Sequence, residues 1–367
     1  MVMDGLRITR RGVLKLGGAA AVTAAAGGSA VAYAAEPARR FYVGSYTSAG
    51  GPGIARGTPD ATTGALRIEA STAALREPSW LAAGAGVLYA VSELATGTVS
   101  AVDPDTLAVR NTVPTGSGPA HLALHPAGRH LFSSLYGGGA TVTHPIAADG
   151  TVGAATDTRG QGGTGQPSHA HQVVVDPTGG FVLAVDLGRN SVFVYTLEAA
   201  AGTLTLLRRT AMAAGSGPRH LVFHPSLGFA YVANELDSTV TVCRWADGVL
   251  TPGQVVAAAP STGVTNVPAE IAVSADGRFV YLSNRGTNTV GVFAVAADGA
   301  TLTRIAAPSC GGDWPRHLAL DPTGRWLYVA NQRSGTITWL PVDASTGVPG
   351  AVAGSLPVPG AAQILLV

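Results

Sequence analysis

The chain is poor in lysine, in charge and in cysteine, and each shortage excludes a class of function. Lys15 is the only lysine among 367 residues, so the remainder has no amine for a Schiff base or a lysine general base. Charged residues make up 12% and the formal net charge is +1. Because no strongly basic field results, we expect no nucleic-acid partner.

Patterns typical of metal sites and of covalent serine hydrolases are also missing. The sequence has no C-x-x-C, H-E-x-x-H or G-x-S-x-G motif. The two cysteines, Cys243 and Cys310, lie at different positions of neighbouring repeats. We therefore predict separate thiols, although a disulfide would be permitted outside the cell. No metal and no cofactor is expected.

The first 34 residues have the features of an export signal. A twin-arginine sequence, Thr9 to Lys15, precedes a weakly apolar Gly/Ala run and an A-x-A site at 32–34. The run is too weakly apolar to span a bilayer. We predict a twin-arginine signal peptide over 1–34 and a secreted domain over 35–367 that has no membrane contact after cleavage. The segment contributes +3 to the whole-chain charge of +1, which leaves −2 for the mature protein.

One sequence unit recurs along most of the chain, and Gly217 to Val242 shows it best. It predicts a first strand, a tight turn, a second strand and a third strand. The second-strand pattern occurs seven times, starting at Phe41, Leu88, Leu131, Val182, Ala230, Val280 and Leu327. The first-strand pattern precedes all but the first copy, at Pro78, Pro119, His169, Pro218, Pro268 and Pro315.

The split repeat predicts the architecture. The copy at Phe41 lacks a first strand, and the β-rich tail Ala362 to Val367 can supply it. A period of about 45 residues is typical of propellers, and joining the two chain ends removes an open edge. We predict an all-β, seven-bladed β-propeller closed by pairing of N- and C-terminal strands. The six copies with their own first strand are called blades 1 to 6, and the split copy is blade 7.

Positions that differ between blades are candidates for a site, since shared positions serve the fold. The residue ending the second strand varies: Tyr46, Glu93, Tyr136, Leu187, Glu235, Arg285 and Gln332. A column at the start of the first strand also varies: Trp80, His121, His220, Glu270 and His317. Blade 3 fits only with a one-residue shift, which puts His171 or Gln172 there. The candidate substrate-binding residues are Arg219, Arg285, His121, His220, Glu270, Tyr136, Arg316 and Gln332.

Three charged residues stand at the channel ends of strands in neighbouring blades. Because unpaired burial is costly, Arg219, Glu235 and Arg285 either pair with each other or meet a charged ligand. The sequence His169-Ala170-His171 breaks the repeat, and on a strand its imidazoles would share one face. That arrangement is also a weak metal-ligand pattern. For His121 and His317, hydrogen bonding between blades is the alternative.

Several segments resemble one propeller family. They are Q-P-S-H-A-H-Q from Gln166, G-P-R-H-L-V-F-H-P from Gly217, A-N-E-L-D-S-T-V from Ala233 and S-N-R-G from Ser283. These segments are similar to the seven-bladed propeller lactonases, which include 6-phosphogluconolactonases and carboxy-cis,cis-muconate cyclases. The resemblance covers about residues 41 to 367. Blade 2 departs from it, with Leu135-Tyr136 where Asn-Tyr is usual and Ala120 where cysteine is frequent.

The resemblance implies a lactonase whose catalytic residues are His171 or His169, with Arg219, Glu235 and Arg285. Histidine suits activation of water at neutral pH, and arginine suits an anionic sugar-type lactone. Glu235 would orient an arginine or act as acid or base. Because antiparallel strands reverse direction, the four side chains are predicted at one mouth of the channel, in blades 3 to 5.

Two other functional hypotheses remain at this point. One is a non-catalytic exported binding propeller, and the other is a metal-dependent lactonase that uses His169 and His171. Under the lactonase hypothesis, which we favour, the partner is a small-molecule lactone and the protein is a monomer.

Overall fold

The computed structural model describes residues 40–162 and 166–367, which form seven four-stranded antiparallel sheets. Blade 7 begins with β1 (Phe41–Ser45), a 3-10 turn (Thr47–Ala49), β2 (Ile54–Pro59) and β3 (Leu66–Thr72). Blade 1 contains β4 (Leu81–Gly84), β5 (Val87–Ser92), β6 (Gly97–Val102) and β7 (Val109–Gly116). Blade 2 contains β8 (Pro119–Leu124), β9 (His130–Leu135), β10 (Ala140–Pro145) and β11 (Asp157–Gly160).

The remaining blades repeat the same order from the innermost to the outermost strand. Blade 3 contains β12 (Ala170–Val175), β13 (Val182–Asp186), β14 (Ser191–Glu198) and β15 (Thr203–Ala211). Blade 4 contains β16 (Pro218–Phe223), β17 (Phe229–Asn234), β18 (Thr239–Ala246) and β19 (Val249–Ala257). Blade 5 contains β20 (Val267–Val273), β21 (Phe279–Arg285), β22 (Thr289–Val295) and β23 (Leu302–Ala306). Blade 6 contains β24 (Pro315–Leu320), β25 (Trp326–Asn331), β26 (Thr336–Pro341) and β27 (Gly354–Pro357), and β28 (Ala361–Leu366) is the innermost strand of blade 7.

Closure by the two ends of the described domain is confirmed. β28 pairs antiparallel with β1, with Phe41 opposite Leu366 and Val43 opposite Ile364. Arg40 and Val367 exchange both backbone hydrogen bonds beyond the strand ends. The pairing covers the backbone edge of β1 that would otherwise stay unpaired, as the split repeat predicts.

The apolar core lies between neighbouring blades. Second strands such as β17 and β25 are buried almost throughout, because both faces of each sheet pack against another sheet. Outermost strands such as β3 and β7 alternate between more and less exposed residues. That alternation explains why the sequence signature is strong for second strands and weak for the fourth.

A β-bulge near the start of the innermost strand decides which side chains reach the channel mouth. In blade 4, Pro218 faces Asn234 and His220 faces Ala233, so Arg219 is the extra residue. The corresponding extra residue is His171 in blade 3 and Arg316 in blade 6. Bulges re-aim side chains in this way. The sequence left blade 3 ambiguous, and the structure puts His171 in the column of Arg219.

The shifted register gives Gln172 a structural task instead. Its side chain forms two hydrogen bonds with the backbone of Leu221 in the next blade, at 2.7 and 3.2 Å. Gln363 makes the same pair of bonds to Leu81, at 2.6 and 3.2 Å. Two glutamines in one column thus link one blade to the next.

The residue directly before the first-strand pattern has a left-handed backbone in five blades. Glycine fills this position at Gly118, Gly217 and Gly360, whereas Glu77 has φ 51° and Trp314 has φ 64°. A left-handed backbone at a bulky residue costs on the order of 1–3 kcal/mol. A bulky residue is retained at such a position only where its side chain makes contacts that glycine cannot make.

The prediction of separate thiols is confirmed, since Cys243 and Cys310 are free and buried. Burial raises the pKa of Cys243 to about 12 and that of Cys310 to about 11. Residues 40–162 and 166–367 contain no helix long and apolar enough to cross a membrane. The predicted export signal over 1–34 lies outside the described residues.

Candidate active site at one mouth of the channel

Two buried arginines share one carboxylate where the inner strands of blades 4 and 5 reach the channel mouth. Oε2 of Glu235 lies 3.1 Å from Nε of Arg219 and 3.0 Å from Nη2 of Arg285. The exposed fractions of these side chains are 19%, 2% and 7%. Arg219 is the bulge residue of β16, Glu235 follows β17 and Arg285 ends β21. The antiparallel order therefore brings them to one end.

Backbone carbonyls of blade 5 hold both guanidinium groups. Nη1 of Arg219 donates to Ala269 at 2.8 Å. Arg285 donates from Nε to Val267 at 3.0 Å and from Nη2 to Pro268 at 2.9 Å. Burial lowers the pKa of Arg219 to about 9, so the group still carries its charge at neutral pH. Each arginine is thus a fixed cation with only part of its donors left for a ligand.

A third arginine stands at the same mouth with a longer ion pair. The guanidinium of Arg316 lies 3.6 Å from Glu93 and 5.4 Å from the ring centre of Tyr46. The Tyr46 hydroxyl donates to Glu93 at 2.7 Å. Unlike Arg219 and Arg285, Arg316 donates to no backbone carbonyl in the described part of the chain. The mouth thus presents three arginines and the carboxylates of Glu93 and Glu235, with Glu270 deeper in the channel, and the arginine donors that remain free suit an anionic ligand.

Glu93 and Tyr46 are site residues that the sequence reasoning missed. Both belong to the variable column that contains Glu235 and Arg285, so the signal was present in the sequence. What the sequence did not reveal is that Glu93 of blade 1 pairs with an arginine of blade 6, on the other side of blade 7.

His171 lies beside the arginines as a buried neutral base. It is 6% exposed, and its Nδ1 lies 3.2 Å from Nε2 of His220. Burial holds the pKa of His171 well below its usual value, and the charge of Arg219 lowers it further. Within 40–162 and 166–367, no protein group hydrogen-bonds to Nε2 of His171. That nitrogen can therefore accept a proton from a bound water.

His169 has partners of its own, which differs from the expectation of two imidazoles on one strand face. It precedes β12, its Nδ1 lies 3.0 Å from the Tyr136 carbonyl oxygen, and its ring stacks on Tyr136 at 4.6 Å. Tyr136 also meets the His171 ring edge at 5.6 Å. The described residues contain no group of three or more His, Cys, Asp or Glu side chains that could hold a metal ion.

Below the mouth, a group of rings fills the channel axis. His121 stacks on Trp80 at 4.0 Å, and the rings of His220 and His317 lie 5.3 and 5.2 Å from Trp80. Glu270 lies 2.9 Å from His220 and 3.5 Å from His317. Burial lowers the pKa of His317 to about 4. Among the predicted substrate-binding residues, His121, His220 and Glu270 thus lie deeper than Arg316 and Tyr136.

Trp314 borders the arginines on the blade 6 side, and Gln332 is bonded to its backbone. The Trp314 ring lies 5.4 Å from the Arg285 guanidinium and 3.4 Å from that of Arg333. Its carbonyl accepts the backbone N–H of Gln332 at 3.0 Å. Replacing Trp314 by glycine would remove these cation–π contacts, although glycine suits the left-handed backbone at this position.

Comparisons with known proteins agree with the fold. The family described as "Lactonase, 7-bladed beta-propeller" matches residues 40–366. A 6-phosphogluconolactonase of Bacillus subtilis is 30% identical over 322 residues, which cover 83% of this chain and 92% of that protein.

Solved structures extend the comparison. A Lactobacillus plantarum protein superposes with a TM-score of 0.85 at 34% identity, over 90% of this chain and 100% of that one. A periplasmic gluconolactonase of Pseudomonas aeruginosa gives a TM-score of 0.82 at 29% identity, over 89% of this chain and 98% of that one.

Proposed function

Because the chain belongs to the seven-bladed β-propeller lactonase family, we propose that it hydrolyses an anionic sugar-type lactone at the channel mouth. The named relatives act as 6-phosphogluconolactonase or gluconolactonase, which supports a hydroxy-acid lactone as the substrate class. The observation that carries the proposal is the buried cluster of Arg219, Glu235 and Arg285 beside a neutral His171.

In the proposed reaction, His171 is the general base. Nε2 of His171 takes a proton from water, and the oxygen of that water attacks the lactone carbonyl carbon. The tetrahedral intermediate carries negative charge on the former carbonyl oxygen, which Arg219 and Arg285 stabilise through their remaining donors. The ring C–O bond then breaks, and the leaving alkoxide oxygen receives the proton from His171. Glu235 holds the two cations at a fixed separation.

A non-catalytic binding propeller remains the second candidate, and one assay separates the two. Purified mature protein is incubated with gluconolactone, 6-phosphogluconolactone and a neutral aliphatic lactone, with and without chelator. The proposal expects hydrolysis of a sugar lactone that chelator leaves unchanged. Tight binding without turnover would favour the binding propeller, and loss of activity on chelation would favour the metal-dependent lactonase.

We expect Arg316→Ala to weaken binding of a phosphorylated lactone more than that of its unphosphorylated counterpart. Of the three arginines at the mouth, Arg316 has the longest ion pair and no backbone carbonyl partner, so its charge is the most available to a ligand anion. KM for 6-phosphogluconolactone should rise about tenfold while KM for gluconolactone changes little, as expected for loss of one charge-assisted contact. Equal changes for both substrates would assign the anion contact elsewhere.

We expect Arg219→Lys to be nearly as harmful as Arg219→Ala. The guanidinium contacts Glu235 and the Ala269 carbonyl from different nitrogens, and a single ammonium cannot reproduce that fork. Both variants should lose about 10²-fold in kcat/KM. Near-normal activity of the lysine variant would mean that only charge matters at this position.

We further propose export of the domain from 35 to 367 through the twin-arginine route as a secreted monomer. The twin-arginine sequence at Arg10 and Arg11 motivates this, and the likeness to a periplasmic gluconolactonase supports it. Replacing both arginines by lysine should leave the protein in the cytoplasm, as fractionation would show.

A further inference from the structure

Three buried side chains form a continuous hydrogen-bonded chain across three blades. Nδ1 of His171 in β12 lies 3.2 Å from Nε2 of His220 in β16, and Nδ1 of His220 lies 2.9 Å from Oε2 of Glu270 in β20. Their exposed fractions are 6%, 0% and 7%. The His171 end lies beside the arginine cluster.

The hydrogen bonds among His171, His220 and Glu270 determine which ring nitrogens carry protons. An ionised carboxylate only accepts, so His220 must donate from Nδ1 to Glu270. A neutral imidazole has one donor and one acceptor, so Nε2 of His220 must accept from Nδ1 of His171. Nε2 of His171 is then left with its lone pair, which is the atom a general base needs.

We propose that Glu270 and His220 are positioning residues that fix the tautomer of His171 and stabilise its protonated form. The inference rests on the proposed role of His171 as base. When Nε2 takes the proton from water, the new positive charge is shared through His220 with the Glu270 carboxylate. The same proton passes from Nε2 to the leaving alkoxide, so Glu270 ends each cycle unprotonated.

Surrounding groups support this assignment. Burial lowers the pKa of His220 well below its usual value, and the nearby arginines lower it further, so His220 rests as a neutral link. Burial raises the pKa of Glu270, whereas the nearby Arg219 and the Ile271 N–H, which donates to the second Glu270 oxygen at 3.2 Å, favour the ionised carboxylate. Four other groups face the His171 end, and they are Arg219, Arg285, Arg316 and Tyr136.

The tautomer can be measured without any substrate. In the mature protein labelled with ¹⁵N-histidine, protonated and unprotonated ring nitrogens have separate shifts, and His171→Asn assigns the signal. We expect Nδ1 of His171 protonated and Nε2 unprotonated at pH 7. The opposite tautomer, with Glu270 protonated and donating to His220, would overturn the proposal even if the protein is an active lactonase.

Two variants test the effect on turnover. His220→Gln introduces the residue that the same column contains at Gln172 and Gln363, so the fold has a precedent for it. Glu270→Gln keeps the size and removes the charge. Each should lower kcat about 10²-fold with KM changed less than about threefold. In Glu270→Gln the acid limb of the pH profile should also move to lower pH, because the imidazolium loses its counter-charge.

His317→Gln is the matched control. It removes an imidazole near Glu270 but leaves the three-residue chain intact, so the His171 tautomer should not change. Unchanged kcat in folded His220→Gln and Glu270→Gln would contradict the inference. If His171→Ala retained full activity, the proposed function of the site would fail instead, whatever the tautomers are.

Discussion

His171→Ala should lower kcat for the lactone substrate by about 10²-fold or more, with a smaller change in KM. The side chain provides a buried neutral base beside the arginine cluster, and its Nε2 is free to face a bound water. Removing a positioned general base typically costs 10²–10⁴-fold. Steady-state kinetics on the purified mature protein, with circular dichroism to confirm folding, gives the result.

His169→Ala is the matched variant, because it removes the other histidine of the same tripeptide. His169 stacks on Tyr136 and bonds to its carbonyl, so its loss should change kcat several-fold at most. A reversed order of effects would show that His169 is the base. Full activity in both variants would exclude a histidine base at this mouth.

The pH profile should follow from the burial of His171. Burial and neighbouring arginines hold its pKa well below the ordinary value of about 6.5. The base form is therefore complete at neutral pH and is lost only as pH falls through the lowered pKa. A plot of kcat/KM against pH should be flat from about pH 6 to 8, whereas a midpoint near 6.5 would indicate an exposed base.

Deleting residues 362–367 should lower the melting temperature by roughly 10 °C or more, or prevent folding. The deletion removes the β28 ladder on β1, the buried Ile364 and the two bonds from Gln363 to Leu81. A buried isoleucine alone contributes about 2–5 kcal/mol, and leaving buried backbone groups unpaired costs about 1–3 kcal/mol each. Thermal unfolding followed by calorimetry measures the loss.

A circular permutant provides the control. Val367 and Arg40 exchange two backbone hydrogen bonds, so a two-residue Asn-Gly turn can join them. A chain that begins at Ala361, runs through this turn and ends at Gly360 keeps every strand pair. It should melt close to the parent protein. A stable deletion variant, or an unstable permutant, would show that pairing of these strands is not what stabilises the ring.

Most of the fold was predictable because each blade repeats one local pattern. Strong second-strand signatures such as Ala230 to Asn234 fixed the number of blades, and the missing first strand before Phe41 indicated closure. The outermost strands were weaker in the sequence. Their exposed positions tolerate polar residues, so β11, with the sequence Asp-Thr-Arg-Gly, carries no apolar alternation.

The site was predictable in part. Antiparallel order alone places Arg219 and Arg285 at one end, where they share Glu235. The position of His171 depended on a bulge, and a bulge changes side-chain direction without a clear sequence signal. The pairing of Arg316 with Glu93 depended on ring geometry, since it joins blade 6 to blade 1 past the closing blade 7.

Closure of the ring by β28 also affects how the protein is synthesised. Leu81 and Gln363 are 282 residues apart, and no contact of β28 can form until β28 itself has been translated. At 5–20 residues per second, the apolar edge of β1 stays unpaired for roughly 15 to 60 s after it is made. An unpaired edge of this kind is a template for association with other chains. The nascent chain is therefore most prone to aggregation at β1 to β3, and a chaperone that covers this hairpin should raise the yield.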